Sequence, residues 1–235
     1  MAENFQIIAR IRSPFPEKFG IPRQSGLVQD LQAQVVFEPP FRNSDALRGL
    51  EAFSHIWLIW QFSRSLGEGW SPTVRPPRLG GNSRMGVFAT RSPFRPNPIG
   101  LSSVVLEQIQ WQSPQGPILH IRGADLMDGT PIYDIKPYLP YCDCHPQAKG
   151  GFTDAVPRTL LQVDFPPALL QQVEPAQQQA LLGVLAQDPR PSYQSDPQRV
   201  YGLAFGPWNV RFSVSGQQLS VLALERRRAP GQEEG

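Results

Sequence analysis

Proline recurs along the whole chain, at 26 of 235 positions, about twice the share of roughly 5% found in ordinary domains. A proline has no amide proton and a fixed φ, so it ends a helix or is pushed to a turn or a strand edge. Apolar residues still make up 40% of the chain, and they fall in short runs between the prolines. Such a chain is expected to fold mainly from strands and turns rather than from long helices. Its charged fraction of only 18% argues against disorder.

The runs support this. Phe5 to Ile11 is mostly apolar and ends at Ser13-Pro14, and Gln34 to Phe37 is stopped by Pro39-Pro40. Ser44 is placed to cap a brief helix over Asp45 to Glu51. His55 to Phe62 (HIWLIWQF) reads as a strand buried on both faces. Leu101 to Trp111, Ile118 to Arg122 and Ile132 to Ile135 continue the series, which favours an antiparallel barrel. After Tyr141 the chain turns polar. Pro166 to Ala186 then carries leucines and Val173 on repeating faces among many glutamines, as in one helix. Strands are expected over Val200 to Phe205, Asn209 to Val214 and Leu219 to Leu224. The expected fold is mainly β, with an antiparallel β-barrel N-terminal domain and a small α+β C-terminal domain. The expected bounds are 1–141 for the barrel, 142–160 for a linker, 161–228 for the second domain and 229–235 for a frayed tail.

The net charge of +2 excludes a surface that is basic all over. The local distribution is more telling. Between Glu68 and Glu107 there is no acid, yet Arg75, Arg78, Arg84, Arg91 and Arg95 all fall there. Lys18, Lys136 and Lys149 are the only lysines among 22 basic residues, and arginine is better suited to bidentate contact with phosphate. No apolar run has membrane-spanning length, and the first residues lack the parts of a signal peptide, so a cytoplasmic protein is expected. Cys142 and Cys144 are too close to staple a fold, and no second Cys/His pair stands at zinc-finger spacing, so no metal is expected. Gly80-Gly81 is not a dinucleotide-binding fingerprint, which excludes resting a nucleotide site on a doubly wound fold.

Two segments can carry chemistry. Residues 75–100 (RPPRLGGNSRMGVFATRSPFRPNPIG) fix a non-repeating backbone studded with arginines, either a binding loop or a connection whose arginines face water. Within it, Asn97-Pro98 can offer carbonyl acceptors to an adenine amino group, or it is simply a turn former. Residues 125–140 (DLMDGTPIYDIKPYLP) place Asp125, Asp128 and Asp134 near Lys136. Those acids suit a hydroxyl, an amino group or a proton, or they are ordinary surface acids of a hairpin.

Together these motifs resemble the TrmO (YaeB-like) family of tRNA (adenine-N6)-methyltransferases. The likeness is carried by RPPRLGGN from Arg75, FRPNPIG from Phe94, Asp128-Gly-Thr-Pro and Asp134-Ile-Lys-Pro-Tyr, and extends to Pro22-Arg23-Gln24, Gly49-Leu-Glu-Ala-Phe-Ser-His and Gln187-Asp-Pro-Arg-Pro. The resemblance implies a barrel domain with a small second domain and a homodimer. It implies methyl transfer from S-adenosyl-L-methionine (SAM) to N6 of the threonylcarbamoyl-adenosine that follows the anticodon, chiefly in threonine tRNA. By position, SAM would meet Pro22, Arg23, Gln24, Ser63, Arg64, Arg91, Leu101, Leu126, Met127, Asp128 and Gly129. A relative carries His-Gln at Ser63-Arg64, so contacts there would run through backbone. The anticodon loop would be held by Arg75, Arg78, Arg84, Arg95, Lys136 and Arg190. Asn97 would orient the amine, with Asp128 or Asp134 taking the proton. No DNA or membrane partner is implied. An RNA-binding barrel without methyl transfer, or a SAM-binding regulator, are the rival readings; the first predicts no saturable SAM binding, the second no change in tRNA mass.

Overall fold

The computed structural model describes residues 5–67, 69–79, 83–155, 159–191 and 196–227. Gly80-Gly81-Asn82, the side chain of Arg78 and the tail over 229–235 lie outside the described residues. In the first part the strands are β1 (Ala9–Arg12), β2 (Gln32–Phe37), β3 (His55–Gln61), the two-residue β4 (Thr73–Val74) and β5 (Met85–Gly86), β6 (Ile99–Gln110), β7 (Ile118–Arg122) and β8 (Pro131–Pro137). There follow α1 (Pro140–Asp143), β9 (Gln162–Asp164), α2 (Pro167–Leu170), α3 (Pro175–Ala186), β10 (Tyr201–Phe205), β11 (Trp208–Ser215) and β12 (Gln218–Arg226).

Six strands close into a barrel in the order β1-β2-β7-β6-β3-β8, every neighbouring pair antiparallel. The fold is mainly β, as the proline spacing and short apolar runs imply. Alternation fills the interior: Ile56 and Leu58 of β3 meet Val104 and Leu106 of β6 and Leu119 and Ile121 of β7. Each such side chain, fully buried, stabilises by about 1.5–3 kcal/mol. β3 is not buried on both faces. Its inward residues Ile56, Leu58 and Trp60 are buried, and its outward ones, His55, Trp57 and Ile59, are half-buried. His55 and Trp57 read as core in the sequence because Tyr138 packs over them on the outside of the barrel.

Two helix expectations are corrected. Asn43, not Ser44, caps the turn after β2: its Oδ1 accepts the Asp45 N–H at 3.0 Å, and two separate 3-10 turns, Ser44–Leu47 and Leu50–Ala52, stand where one helix is expected. The stretch over 166–186 divides into α2 and α3, because Pro175 has no N–H to continue α2 and its ring crowds the preceding turn.

The second domain is a sheet in the order β10-β11-β12-β9, with β9 parallel to β12, packed on α3. Its core also takes Phe15, Val28 and Leu31 from the connection between β1 and β2. That connection is thus held between the domains. Gly206 N–H bonds the Pro14 carbonyl at 2.7 Å on one side, and Gly26 N–H bonds the Gly123 carbonyl at 2.8 Å on the other.

Candidate active site

A cavity of about 460 Å³ opens at one end of the barrel, within the ordinary range of small-molecule sites. Four stretches meet there: the β1–β2 connection with Ile21, Pro22, Arg23 and Gln24; the end of β3 and the following turn with Trp60, Phe62, Ser63 and Arg64; the loop carrying Arg91 and Arg95; and the start of β6 with Ile99, Gly100 and Leu101. Asp125, Met127 and Thr130 complete the wall. One side is aromatic and apolar, where Trp60 and Phe62 sit with ring centroids 4.3 Å apart. The opposite side is polar and cationic. Arg91 donates to Gln24 Oε1, which ties the arginine loop to the β1–β2 connection. Lys18 Nζ reaches the Arg64 carbonyl and Ser65 Oγ, each at 3.3 Å.

Of the positions expected to meet SAM, Pro22, Arg23, Gln24, Ser63, Arg64, Arg91, Leu101 and Met127 line this cavity. Leu126 is buried in the barrel core instead, and the exposed Asp128 and Gly129 form the turn beneath. Asp128 Oδ1 accepts the Ser13 N–H at 3.1 Å, and its own N–H bonds the Phe15 carbonyl at 2.7 Å. That carboxylate fixes the frame of the loop and does not line the cavity. Asp134 lies outside the cavity too, paired with Lys136 at 2.8 Å, and its Oδ1 accepts the Ile135 N–H. Asn97 is exposed two residues before the cavity-lining Ile99, whose N–H bonds the Asn97 carbonyl at 2.8 Å.

The residues expected to hold RNA are dispersed. Arg75 and Arg84 are exposed beside the β4–β5 ribbon. Arg95 braces its own loop through the Thr90 carbonyl at 2.7 Å and lies 5.8 Å from the Phe88 ring centroid. Arg190 lines a second cavity of about 430 Å³ at the domain junction, which shares Lys18, Ile21, Pro22 and Arg23 with the first. Its guanidinium is held by Asp188 through two bonds, at 2.8 and 2.9 Å. Asp188 itself adopts φ 53°, a left-handed conformation uncommon outside glycine.

A polar chain runs from the buried Trp60 and Ser102 to the half-buried Asp125 at the cavity wall. Trp60 Nε1 donates to Ser102 Oγ at 3.0 Å, and Ser102 Oγ donates to Asp125 Oδ1 at 2.5 Å. Burial pushes the Asp125 carboxyl above the usual carboxylate range, and the Ser102 hydroxyl, nearby backbone N–H groups and the Arg91 charge only partly oppose this. The one sequence signal for Ser102 is a hydroxyl at an inward position of β6, where Val104 and Leu106 are the alternating neighbours. Asp125 follows Ala124 and precedes Leu126, both buried, a context in which a carboxylate needs partners.

Comparison with known proteins adds to this geometry. Residues 10–144 match the model of the tRNA-methyltransferase O N-terminal domain, and residues 158–227 match that of the TrmO C-terminal domain. The chain is 45% identical over 231 residues to a tRNA (adenine(37)-N6)-methyltransferase of Escherichia coli, covering 95% of this chain and 98% of that one. It is 40% identical over 150 residues to a probable S-adenosyl-L-methionine-binding protein of Pyrococcus abyssi, covering 64% of this chain and 76% of that one. A crystal structure of TrmO from Pseudomonas aeruginosa superposes with a TM-score of 0.77 at 34% identity, covering 96% of this chain and 99% of the other.

Proposed function

The chain belongs to the tRNA-methyltransferase O family across both domains, which makes it a tRNA (adenine-N6)-methyltransferase, and from that premise we propose that it carries a methyl group from SAM to N6 of the threonylcarbamoyl-adenosine after the anticodon, chiefly in threonine tRNA. The observation that carries the reading is the convergence of Pro22, Arg23, Gln24, Ser63, Arg64, Arg91, Leu101 and Met127 on one cavity at the barrel end.

The donor set fits SAM. Trp60, Phe62, Ile99 and Leu101 offer an apolar wall for an adenine ring, and Arg23, Arg64 and Arg91 offer cations for a carboxylate. When bound, SAM supplies an electrophilic methyl on a sulfonium. The protein's part is to hold the acceptor amine in line with that methyl and to exclude water. Asn97, on the turn that leads into β6, orients the acceptor nucleoside. The anticodon loop offers unstacked bases, so no duplex has to be opened. Arg75, Arg78, Arg84, Arg95 and Lys136 hold its phosphates, and Arg190 extends that surface to the second domain. The working form is a homodimer in the cytoplasm. The test is incubation with SAM and tRNA from a strain lacking this activity, followed by nucleoside mass spectrometry. The expected product is threonylcarbamoyl-adenosine heavier by one methyl group. Unchanged nucleosides alongside intact SAM binding refute the reading.

A further inference from the structure

Methylation of N6 releases a proton, and the cavity limits what can receive it. Among the described residues lining the cavity, the titratable side chains are Lys18, Arg23, Arg64, Arg91, Arg95 and Asp125. The five cations carry no free lone pair near neutral pH. The remaining lining residues are apolar, amides, hydroxyls or an indole, none of which holds a proton in that range. Asp128 and Asp134 lie outside, one bound to the Ser13 N–H and the other to Lys136. Asp125 remains, on the cavity floor, with its Oδ1 fixed by the Ser102–Trp60 chain.

We propose that Asp125 is the general base of the reaction, receiving the N6 proton of the acceptor nucleoside as the methyl group arrives. The inference rests on the methyltransferase reading above. The N6–H bond breaks and its proton passes to the Asp125 carboxylate. The N6–C bond forms as the methyl–sulfur bond breaks, and sulfur keeps that electron pair. A sulfonium and a carboxylate become a thioether and a carboxylic acid, so the low-dielectric floor loses a separated pair of charges rather than gaining one. The half-buried position suits this role: desolvation favours the protonated form and makes the carboxylate a stronger base than an exposed one. Ser102 keeps the oxygen aimed, and the Arg91 charge, with the Ser102 hydroxyl and nearby backbone N–H groups, favours the ionised form before the reaction.

The experiment compares the parent with Asp125→Asn, which preserves shape and can still accept from Ser102. SAM and tRNA binding are measured by calorimetry, and methyl transfer in single turnover at saturating SAM from pH 5 to 8. The expected result is a loss of at least about 100-fold in the transfer rate, the size typical of general-base removal. SAM and tRNA affinities stay within threefold. The parent rate rises with pH along an acidic limb that the variant lacks. A variant rate within threefold of the parent overturns the proposal. So does a variant that loses SAM affinity but transfers normally once saturated, which makes Asp125 a cofactor ligand. An inactive parent that binds both ligands overturns the methyltransferase reading and this base with it.

Discussion

Gly100 tests how tightly the cavity is tied to the barrel. It pairs directly with Trp60 across the β3–β6 ladder, and the indole lies flat over the place where a side chain would be. A Cβ there would stand 2.3 Å from Trp60 Cε2 and 2.4 Å from Cζ2, far inside van der Waals contact. Trp60 is buried and the strands are hydrogen-bonded on both sides, so neither partner can simply step back. Gly100→Ala therefore forces the ring off its rotamer, an overpacking cost of about 1–3 kcal/mol. Swinging the ring also breaks the Nε1–H bond to Ser102, about 1 kcal/mol more. At roughly 2–4 °C per kcal/mol for a chain of this size, the expected fall in Tm is about 5–15 °C by circular dichroism. The companion variant Trp60→Phe carries a smaller ring without Cζ2 and so relieves part of the clash, and the double variant regains part of the loss. The two changes then couple by at least about 1 kcal/mol instead of adding. A Gly100→Ala protein melting within a degree of the parent, or strictly additive changes, would refute the Trp60–Gly100 contact as the constraint on this end of the barrel.

Two further outcomes follow from the same geometry. Asp125 has a folded pKa raised above its unfolded value, so between the two values the folded state holds the extra proton and the parent loses stability as pH rises through that window. Asp125→Asn escapes this loss. Its Tm relative to the parent is expected to climb as pH rises above about 4, the unfolded value, and a difference that does not vary with pH would contradict the burial argument. At the second cavity, Arg190→Ala is expected to lower tRNA affinity and to cut the slope of log K against log salt by about 0.7, as for one lost phosphate contact on a single strand. An unchanged slope in a filter-binding series would remove Arg190 from the RNA surface.

What the sequence discloses and what it hides divide along contact range. The barrel is legible because its signal is local: apolar residues alternate over a few positions and prolines mark the ends, as in β6 from Ile99 onward. The cavity is assembled from distant pieces. Gln24 meets Arg91 across 67 positions, and Ser13 meets Asp128 across 115. No spacing rule predicts either pair. The three acids of the second motif show the consequence most plainly. In sequence, Asp128 is the most conspicuous, because it stands in an Asp-Gly turn, and Asp134 sits near a lysine. In the folded chain both carboxylates are engaged outside the cavity, one by the Ser13 N–H and one by Lys136. Asp125 has no turn and no adjacent cation to recommend it. It is set apart only by burial and by a serine 23 positions upstream, both products of the β6–β7 hairpin closing over it. Asp125 lines the cavity while the carboxylates of Asp128 and Asp134 are engaged outside it, so the least conspicuous acid of the motif is the one left to act on a ligand.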